Sequence, residues 1–488
     1  MDAQDQVELA QIKNRAIGGI ITFTARTFFI QVFSFFATFL LTIMLSPKAF
    51  GIFYIVSAAL SLFVYFSDIG LAAALVQKKE KPTKEDLSTA FLIQQGLIIA
   101  LVVIGITLSR LVGKFYGLDQ QGIWLFRILI FSLFLSSLKT IPSIILERGL
   151  SFTKLVIPQI VENVTFYLTA LVLAYLKFDI ASFTWAVLAR GIVGLITIYI
   201  ISPWKPSLSF NKKSAKSLVS FGIPFQLNSI LALFKDDLLT VFVGKLLPAA
   251  QVGFIGWSQK FAFVPLRFIM DNVIKVTFPA YSRMQHDAKS LKNAVDKSLF
   301  FVTFLVYPSL VGIMILMPRL TKLVPNYSKW EPALPLLIFF TINAAFACVN
   351  TTLTNVMFAI GKPNIVLKLM IFWTFLTWFL TYPMIKSFGF LGVSIASAFV
   401  AASTSVIIYF VKKEINVSVI KNVYAPFVAS LIMFFGAKFI GKQLPNNYLG
   451  LLEIFVISTF IYLVAVLLML RKVIIEDIKT VLFSIKVN

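Results

Sequence analysis

Residues 253–279 read GFIGWSQKFAFVPLRFIMDNVIKVTFP, and this stretch decides the class of fold. It is long and apolar enough to cross a bilayer, which takes about 20 residues of helix. It also carries Lys260, Arg267, Asp271 and Lys275, which fall within a stripe about 80° wide on one helical face. A charge at mid-bilayer costs roughly 2.5–3.5 kcal/mol, so such residues usually face a protein interior or a watery cavity. The stretch therefore predicts a membrane helix that lines a polar cavity.

The rest of the chain has the same apolar character. Hydrophobic residues make up 59% of the 488 residues, charged residues make up 13%, and the mean hydropathy is +0.90. Apolar runs of about 20 residues recur from end to end, which is the pattern of an all-α polytopic membrane protein. The sequence predicts about fourteen spans, at 17–45, 52–74, 90–109, 124–146, 156–176, 181–201, 218–244, 253–279, 298–318, 333–359, 365–385, 390–411, 425–440 and 449–470.

The residue inventory argues against a metal centre or a cofactor. Cys348 is the only cysteine and His286 is the only histidine, so neither an intrachain disulfide nor a His cluster is expected. No Gly-rich phosphate loop and no Ser/His/Asp set is present, which argues against nucleotide hydrolysis and hydrolytic catalysis. The N-terminus opens acidic and polar, unlike a signal peptide, so the first helix is expected to be retained.

The formal charge of +23 is distributed like that of a membrane protein, and no nucleic acid partner is expected. Most Lys and Arg residues lie in the short loops between spans, and they concentrate in alternate loops. Cytoplasmic loops carry such an excess. The pattern predicts a multi-pass protein of the cytoplasmic membrane with both termini in the cytoplasm.

The chain repeats itself at an offset of about two hundred residues. LSPKAFGIFY (45–54) resembles LPAAQVGFIG (247–256), and KFDIASFTWA (177–186) resembles SFGFLGVSIA (387–396). Six predicted spans separate the members of each pair, and an even number makes the repeats parallel. Such repeats are typical of alternating-access transporters, which bind substrate between their halves near the midplane.

The repeat divides the chain into three predicted parts. Residues 1–205 would form a six-helix N-terminal lobe and residues 206–413 a six-helix C-terminal lobe. Residues 414–488 would add two further helices and a cytoplasmic tail.

The stripe on the eighth span is the first candidate site. Arg267 would receive an anionic group, with Lys260 and Lys275 as further cationic contacts and Asp271 holding Arg267 in place. The alternative is an internal ion-pair ladder that only packs spans together. Both lysines could also lie near the interfaces, where long side chains reach the headgroups at little cost.

A second set of candidates lies on the first, second and seventh spans. Arg26 is predicted deep in span one, and the repeat relates that span to the one that holds Lys235, Asp236 and Asp237. These residues suit a cavity wall, or in span seven a charge cluster near the external end. Asp68 could pair with Arg26, bind a coupling proton or cation, or make a structural hydrogen bond near a helix end.

Other buried charges favour a structural role. Glu162 in span five and Arg190 at the centre of span six are predicted to pair, since a paired charge is the usual way to bury one. Arg127 lies near the outer end of its span and can reach the headgroups. Lys139 lies deeper, and the sequence assigns it no partner.

Several motifs now carry a family resemblance. Phe50-Gly51 is followed by Asp68, then Gly70, then Val76-Gln77. The second half adds Phe-Pro-Ala-x-Ser-Arg at 278–283, a Gly-Lys-Pro turn at 361–363 and FGFLGVSIA at 388–396. Over residues 15–410 the chain resembles the polysaccharide transport (oligosaccharide flippase) family of the multidrug/oligosaccharidyl-lipid/polysaccharide (MOP) exporter superfamily.

The resemblance implies two six-helix lobes around a central cavity lined by spans one, two, seven and eight. It implies flipping of undecaprenyl-diphosphate-linked or similar sugar units to the outer leaflet for cell-surface polysaccharide synthesis, with the polymerase machinery as a candidate partner. Related lipid II flippases use arginines on spans one and eight, and Arg26 and Arg267 occupy comparable places. The family often begins span eight with Gly-Tyr-Tyr, whereas this chain has Gly253-Phe254-Ile255.

Two other functions remain as alternatives. A cation-coupled multidrug exporter on the same scaffold would need an acidic cavity, and cationic side chains outnumber acidic ones inside the predicted spans. A membrane polymerase or glycosyltransferase would be expected to show a long external loop with clustered acids, Arg or His, and the predicted external loops are short.

Overall fold

The computed structural model describes the backbone of residues 3–67, 69–78, 80–227, 237–403 and 405–487. Side chains are described for most of these from residue 22 to residue 470. Within this part of the chain all regular structure is helical, which confirms the predicted all-α class.

The contacts between residues divide the chain into two compact units, 1–253 and 254–488. The first unit contains α1 (Ala3–Met44), α2 (Pro47–Ser67), α3 (Leu71–Gln77), α4 (Lys84–Tyr116), α5 (Gln120–Leu138), α6 (Thr140–Arg148), α7 (Phe152–Tyr175), α8 (Ile180–Ile201), α9 (Lys212–Leu227) and α10 (Leu238–Leu246). The long helix α11 (Ala249–Met284) begins in the first unit and continues into the second. The lobe boundary predicted at 205/206 stays a prediction.

The second unit continues with helices that are mostly long. They are α12 (Ala288–Leu323), a 3-10 turn (Ser328–Ala333), α13 (Leu334–Ala359), α14 (Pro363–Phe388), α15 (Leu391–Ala402), α16 (Ser405–Glu414), α17 (Val419–Gly441) and α18 (Tyr448–Val487).

Twelve helical segments of the described chain are long and apolar enough to cross a membrane, so the chain is a multi-pass membrane protein. The predicted count of fourteen is not established. The predicted eighth span is the charged helix α11, and the predicted seventh includes residues 228–236, which lie outside the described residues. The thirteenth span, predicted as short, is the 23-residue helix α17.

Helix α2 of the first unit is packed most closely at its beginning. The helices α7 and α8 form an antiparallel pair, and α1 packs on α7. At that end Phe53 of α2 stacks on Phe183 of α8 with ring centroids 4.4 Å apart. The buried residues of α2 all lie between Ala49 and Ala59, and its later residues are half-buried or exposed. Helix α2 is therefore close-packed near the 44–47 turn, at its predicted external end, and less closely packed toward its other end.

Two glycines make a reciprocal close approach at the beginnings of α2 and α11. A Cβ on Gly51 would collide with the carbonyl of Ala249, and a Cβ on Gly253 would collide with the carbonyl of Pro47. Both pairs, Gly51 with Gly253 and Pro47 with Ala249, are separated by the offset of the first sequence repeat. The beginnings of α2 and α11 thus cross at a distance that only glycine permits, and each repeat supplies the glycine and the carbonyl from equivalent positions.

Hydrogen bonds tie the first turns of α4 to the segment 207–214 at the predicted cytoplasmic end. The Ser88 and Ser207 hydroxyl oxygens lie 2.7 Å apart, and the Ser214 hydroxyl donates to the buried carboxylate of Asp86 at 2.7 Å. Asn211 donates through its backbone amide to the Thr89 hydroxyl and through its side chain to Glu85, both at 2.9 Å. Lys78 completes the site with a 2.6 Å bond to Asp86. The segment that joins the two sequence repeats is therefore fixed to the first unit.

In the second unit the helix α12 carries the appended pair α17 and α18. Asp296 of α12 accepts from the Ser418 amide at 3.0 Å and from the Asn422 side chain at 2.7 Å, near the start of α17. The Tyr462 hydroxyl of α18 donates to the Phe304 carbonyl at 2.8 Å. At the far end Arg319 donates to the Gly441 carbonyl. Contacts along the whole length of α12 therefore hold the appended helices to this unit.

Candidate functional site

The predicted stripe lies on one side of α11. Arg267, Asp271 and Lys275 are exposed and Lys260 is half-buried. The opposite side of the helix is packed into protein, with buried residues Ile255, Ala262, Leu266 and Met270. Because the charged side faces away from the packed core and a charge avoids lipid, this side suits a polar space. The role predicted for Asp271, as the partner that holds Arg267, stays a prediction.

The depth of Arg267 can be measured along its own helix. Eighteen residues separate it from Ala249, where α11 begins, which is about 27 Å at 1.5 Å per residue. Lys260 lies nearer to the start of α11, and Lys275 lies farther along. The lysines therefore bracket the arginine along the same side of the helix.

Arg26 has an unsatisfied polar atom. Its side chain is half-buried on α1, and its Nε is buried without a hydrogen-bond partner among the described residues. Burying a donor without a partner costs about 1–3 kcal/mol, so this guanidinium can gain by donating to an acceptor such as a phosphate oxygen. Eighteen residues also separate Arg26 from Met44 at the end of α1, again about 27 Å. Both arginines therefore lie at the same distance, along their own helices, from the turns at the glycine crossing.

The α1–α7 seam beside Arg26 is polar. The Ser34 hydroxyl donates to Asn163 at 3.2 Å, and the Thr38 hydroxyl donates to Tyr167 at 3.3 Å. Side-chain hydrogen bonds of this kind hold neighbouring helices together in a bilayer. They fix the helix that carries Arg26 against α7.

The remaining predicted candidates are only partly described. Asp237 is half-buried and immediately precedes α10. Asp68, Lys235 and Asp236 lie outside the described residues. Among the described side chains, no group of three or more His, Cys, Asp and Glu residues is arranged to hold a metal ion.

The predicted Glu162–Arg190 pair is part of a cluster of three charged side chains. The Arg190 Nε lies 3.6 Å from Glu162 Oε2, which confirms the pair. Lys139, which had no predicted partner, donates to Glu162 Oε1 at 2.7 Å. Lys139 lies at the interruption between helices α5 and α6, within reach of Glu162. The cluster therefore holds two cations and one carboxylate.

Comparison with known proteins identifies the family. The family model described as polysaccharide biosynthesis protein matches residues 40–335. The lipopolysaccharide biosynthesis protein WzxC of Escherichia coli (strain K12) is 23% identical over 78% of this chain and 77% of that protein. The succinoglycan biosynthesis transport protein ExoT of Rhizobium meliloti (strain 1021) is 22% identical over 88% of each.

Solved structures show the same fold. The lipid II flippase MurJ in an inward closed conformation superposes with a TM-score of 0.77 at 19% identity, over 93% of this chain and 100% of that one. An inward-facing multidrug resistance MATE family transporter of the MOP superfamily gives a TM-score of 0.57 at 16% identity, over 77% and 95%. Since the family model matches more than half of the chain, the chain is a member of the polysaccharide biosynthesis protein family.

Proposed function

We propose that this chain is a flippase for lipid-linked oligosaccharides. It would move undecaprenyl-diphosphate-linked or similar polyprenyl-linked repeat units across the cytoplasmic membrane for cell-surface polysaccharide synthesis. Two lobes, residues 1–205 and 206–413, would alternate the access of a site between them, as the parallel repeat suggests. The names of WzxC, ExoT and MurJ support a substrate of this class.

One observation carries the proposal. Arg26 and Arg267 are cations that lie about 27 Å along their helices from the turns beside Gly51 and Gly253. The hydrocarbon core is about 30 Å thick, so that distance would put both near the opposite boundary, where a lipid diphosphate would enter. Each offers a planar guanidinium, which pairs bidentately with phosphate oxygens.

The other predicted residues would support this pair. Lys260 would contact the diphosphate nearer to the start of α11 than Arg267, and Lys275 would contact it farther along the helix. Asp271 would orient Arg267 between substrates. Asp68 and the group Lys235, Asp236 and Asp237 would support the site or bind the coupling ion. The sugars would occupy the polar space while the lipid tail stays in the bilayer.

The membrane orientation follows from the distribution of positive charge in the loops. Both termini and the tie between α4 and residues 207–214 would lie in the cytoplasm, and the glycine crossing would lie at the outer surface. The polymerase machinery that consumes the flipped units is the proposed partner.

The test is rescue of a null strain scored for lipid-linked repeat units that accumulate in the inner leaflet. The wild-type chain should clear them, and the double variant Arg26→Ala, Arg267→Ala should not, because a diphosphate would lose both guanidinium partners. We expect at least a tenfold loss of rate, about the loss of one charge-assisted hydrogen bond.

Arg127→Ala is the matched control. Its Nε donates to the Ser109 hydroxyl at 2.8 Å and its guanidinium lies 5.3 Å from the Trp124 ring, away from the proposed path. This variant should rescue like the wild type. Full rescue by the double variant would rule out the diphosphate clamp. A null strain that accumulates no lipid-linked units but gains drug sensitivity would point to a multidrug exporter.

A further inference from the structure

The charge cluster inside the first unit has an unbalanced charge. Lys139 and Arg190 share Glu162 as their acidic partner in the part of the chain that the structure describes. Two cations against one carboxylate leave a net positive charge. A helical bundle in a bilayer has little reason to bury that charge for packing alone, because a neutral pair or an apolar contact would serve.

The cluster lies near mid-depth. Arg190 follows Ile180, the first residue of α8, by ten residues, or about 15 Å, which is half the thickness of the hydrocarbon core. Glu162 lies near the middle of α7. This position is well removed from that of Arg26, which lies about 27 Å from the end of α1.

Arg190 is exposed on the inner side of its helix. The exposed apolar stripe of α8, which suits lipid, consists of Trp185, Ile192, Ile196 and Ile200. At 100° per residue, Arg190 lies about 120° from the centre of that stripe. It rises instead from the side of Phe183 and Gly194, both buried. Its side chain is nevertheless 54% exposed, so its guanidinium is accessible on that side of the helix.

The cluster leaves the fork of that guanidinium available. Glu162 is 13% exposed and bonds Lys139 through Oε1, while its Oε2 lies 3.6 Å from the Nε of Arg190. The ion-pair contact is thus made by Nε, which leaves the two terminal nitrogens for a further acceptor. A fork of this kind matches two phosphate oxygens.

We propose that Lys139, Glu162 and Arg190 form a second phosphate-binding position at mid-depth, which takes the phosphate of a lipid headgroup. Arg190 binds the phosphate, Lys139 supplies a second positive charge, and Glu162 pairs with both cations while no phosphate is bound. The inference rests on the proposed function, because the lipid diphosphate would reach this position after it leaves the level of Arg26 and Arg267. The phosphate of a bulk anionic phospholipid has the same chemistry.

Binding of undecaprenyl diphosphate to the purified full-length chain in nanodiscs of zwitterionic lipid tests the proposal. Arg190→Gln should weaken binding by roughly tenfold, the loss expected for one charge-assisted contact. Arg190→Lys should give an intermediate value, because it keeps the charge and loses the fork. Glu162→Gln should bind at least as well as the wild type, because it removes the acid that competes with the phosphate.

If the cluster were purely structural, the relative severity of the two Gln variants would be reversed. Glu162→Gln would then be the damaging change, since it leaves two unpaired cations, and Arg190→Gln would be mild, since Lys139 and Glu162 remain a neutral pair. Thermal unfolding of the same variants shows which order holds for stability. Unchanged binding by Arg190→Gln in a folded protein would overturn the proposal.

Three probe lipids distinguish the possible sources of the phosphate, and one further variant background separates this position from the Arg26 and Arg267 clamp. Undecaprenol, which lacks phosphate, should show no dependence on Arg190. Dependence for undecaprenyl diphosphate alone assigns the site to the transport path, and equal dependence for phosphatidylglycerol assigns it to bulk headgroups. Repeating the assay in the Arg26→Ala, Arg267→Ala background separates the two positions: a lower affinity of this background than of the wild type reports the clamp, and a further loss on Arg190→Gln reports the mid-depth position.

Discussion

Glu162 has space for its carboxylate only because residue 194 has no side chain. A Cβ at Gly194 would collide with the Glu162 carboxylate, so Gly194→Ala should displace it from Lys139. Overpacking of this kind costs about 1–3 kcal/mol, and the melting temperature should fall. Gly96→Ala on α4 is the matched control, since a Cβ there meets nothing within 4 Å, and it should gain about 0.5–1 kcal/mol of helix propensity. Equal melting temperatures for the two variants would contradict the tight fit.

The residue scale also shows what periodicity can predict. Residues four apart in sequence share a helical face, so the stripe through Arg267 and Lys275 could be placed from local spacing alone. The partnership of Lys139 with Glu162 could not, because it depends on how α5 and α7 pack, although Pro142, which lacks an amide for the Leu138 carbonyl, marks the helix break at residue 139. Spacing likewise could not reveal the unsatisfied Nε of Arg26.

At the element scale, the glycine crossing between α2 and α11 should be sensitive at both of its members. Gly51→Ala and Gly253→Ala each put a methyl group against a backbone carbonyl, so each should cost about 1–3 kcal/mol in thermal unfolding. Once one alanine has forced the helices apart, the second should add less. The double variant should therefore be less destabilised than the two single variants combined.

Strict additivity of the two losses would mean that the glycines do not share one contact. Gly312→Ala on α12 provides the control, since a Cβ there meets nothing within 4 Å. It should leave the melting temperature unchanged or raise it slightly.

Helix lengths were harder to predict than helix identities. The apolar run at 425–440 looked short because Lys421 and Lys442 flank it, yet the helix extends over Val419–Gly441. Its start is fixed by Asp296, a residue of another helix, so the signal lies outside the run. The charged α11 is likewise one continuous helix of 36 residues, in which Pro265 and Pro279 do not end the helical structure.

At the scale of the whole molecule, the orientation in the membrane can be read with single cysteines. Cys348 is fully buried, and Cys348→Ala gives a suitable background. A cysteine at Lys48, beside the glycine crossing, should react with an impermeant thiol reagent on intact cells. A cysteine at Lys213 should react only after permeabilisation. The reverse pattern would place both termini outside.

The repeat in the sequence and the compact units of the structure do not share a boundary. The sequence predicts that the second copy of the repeat begins near residue 206, whereas the first compact unit extends to residue 253. Duplication leaves its mark on sequence, but contacts depend on where each helix finds its partners, and α9 and α10 find theirs on α3 and α2. Sequence similarity alone could not predict that assignment.

The tie between α4 and residues 207–214 also bears on the order in which the nascent chain folds. Its last partner, Ser214, leaves the ribosome long before the second unit has been made, and all of its donors and acceptors are local to the first unit. Domains generally fold as units, the N-terminal one first, during synthesis. The first unit can therefore form this tie while the second unit is still being translated, before the later helices are inserted.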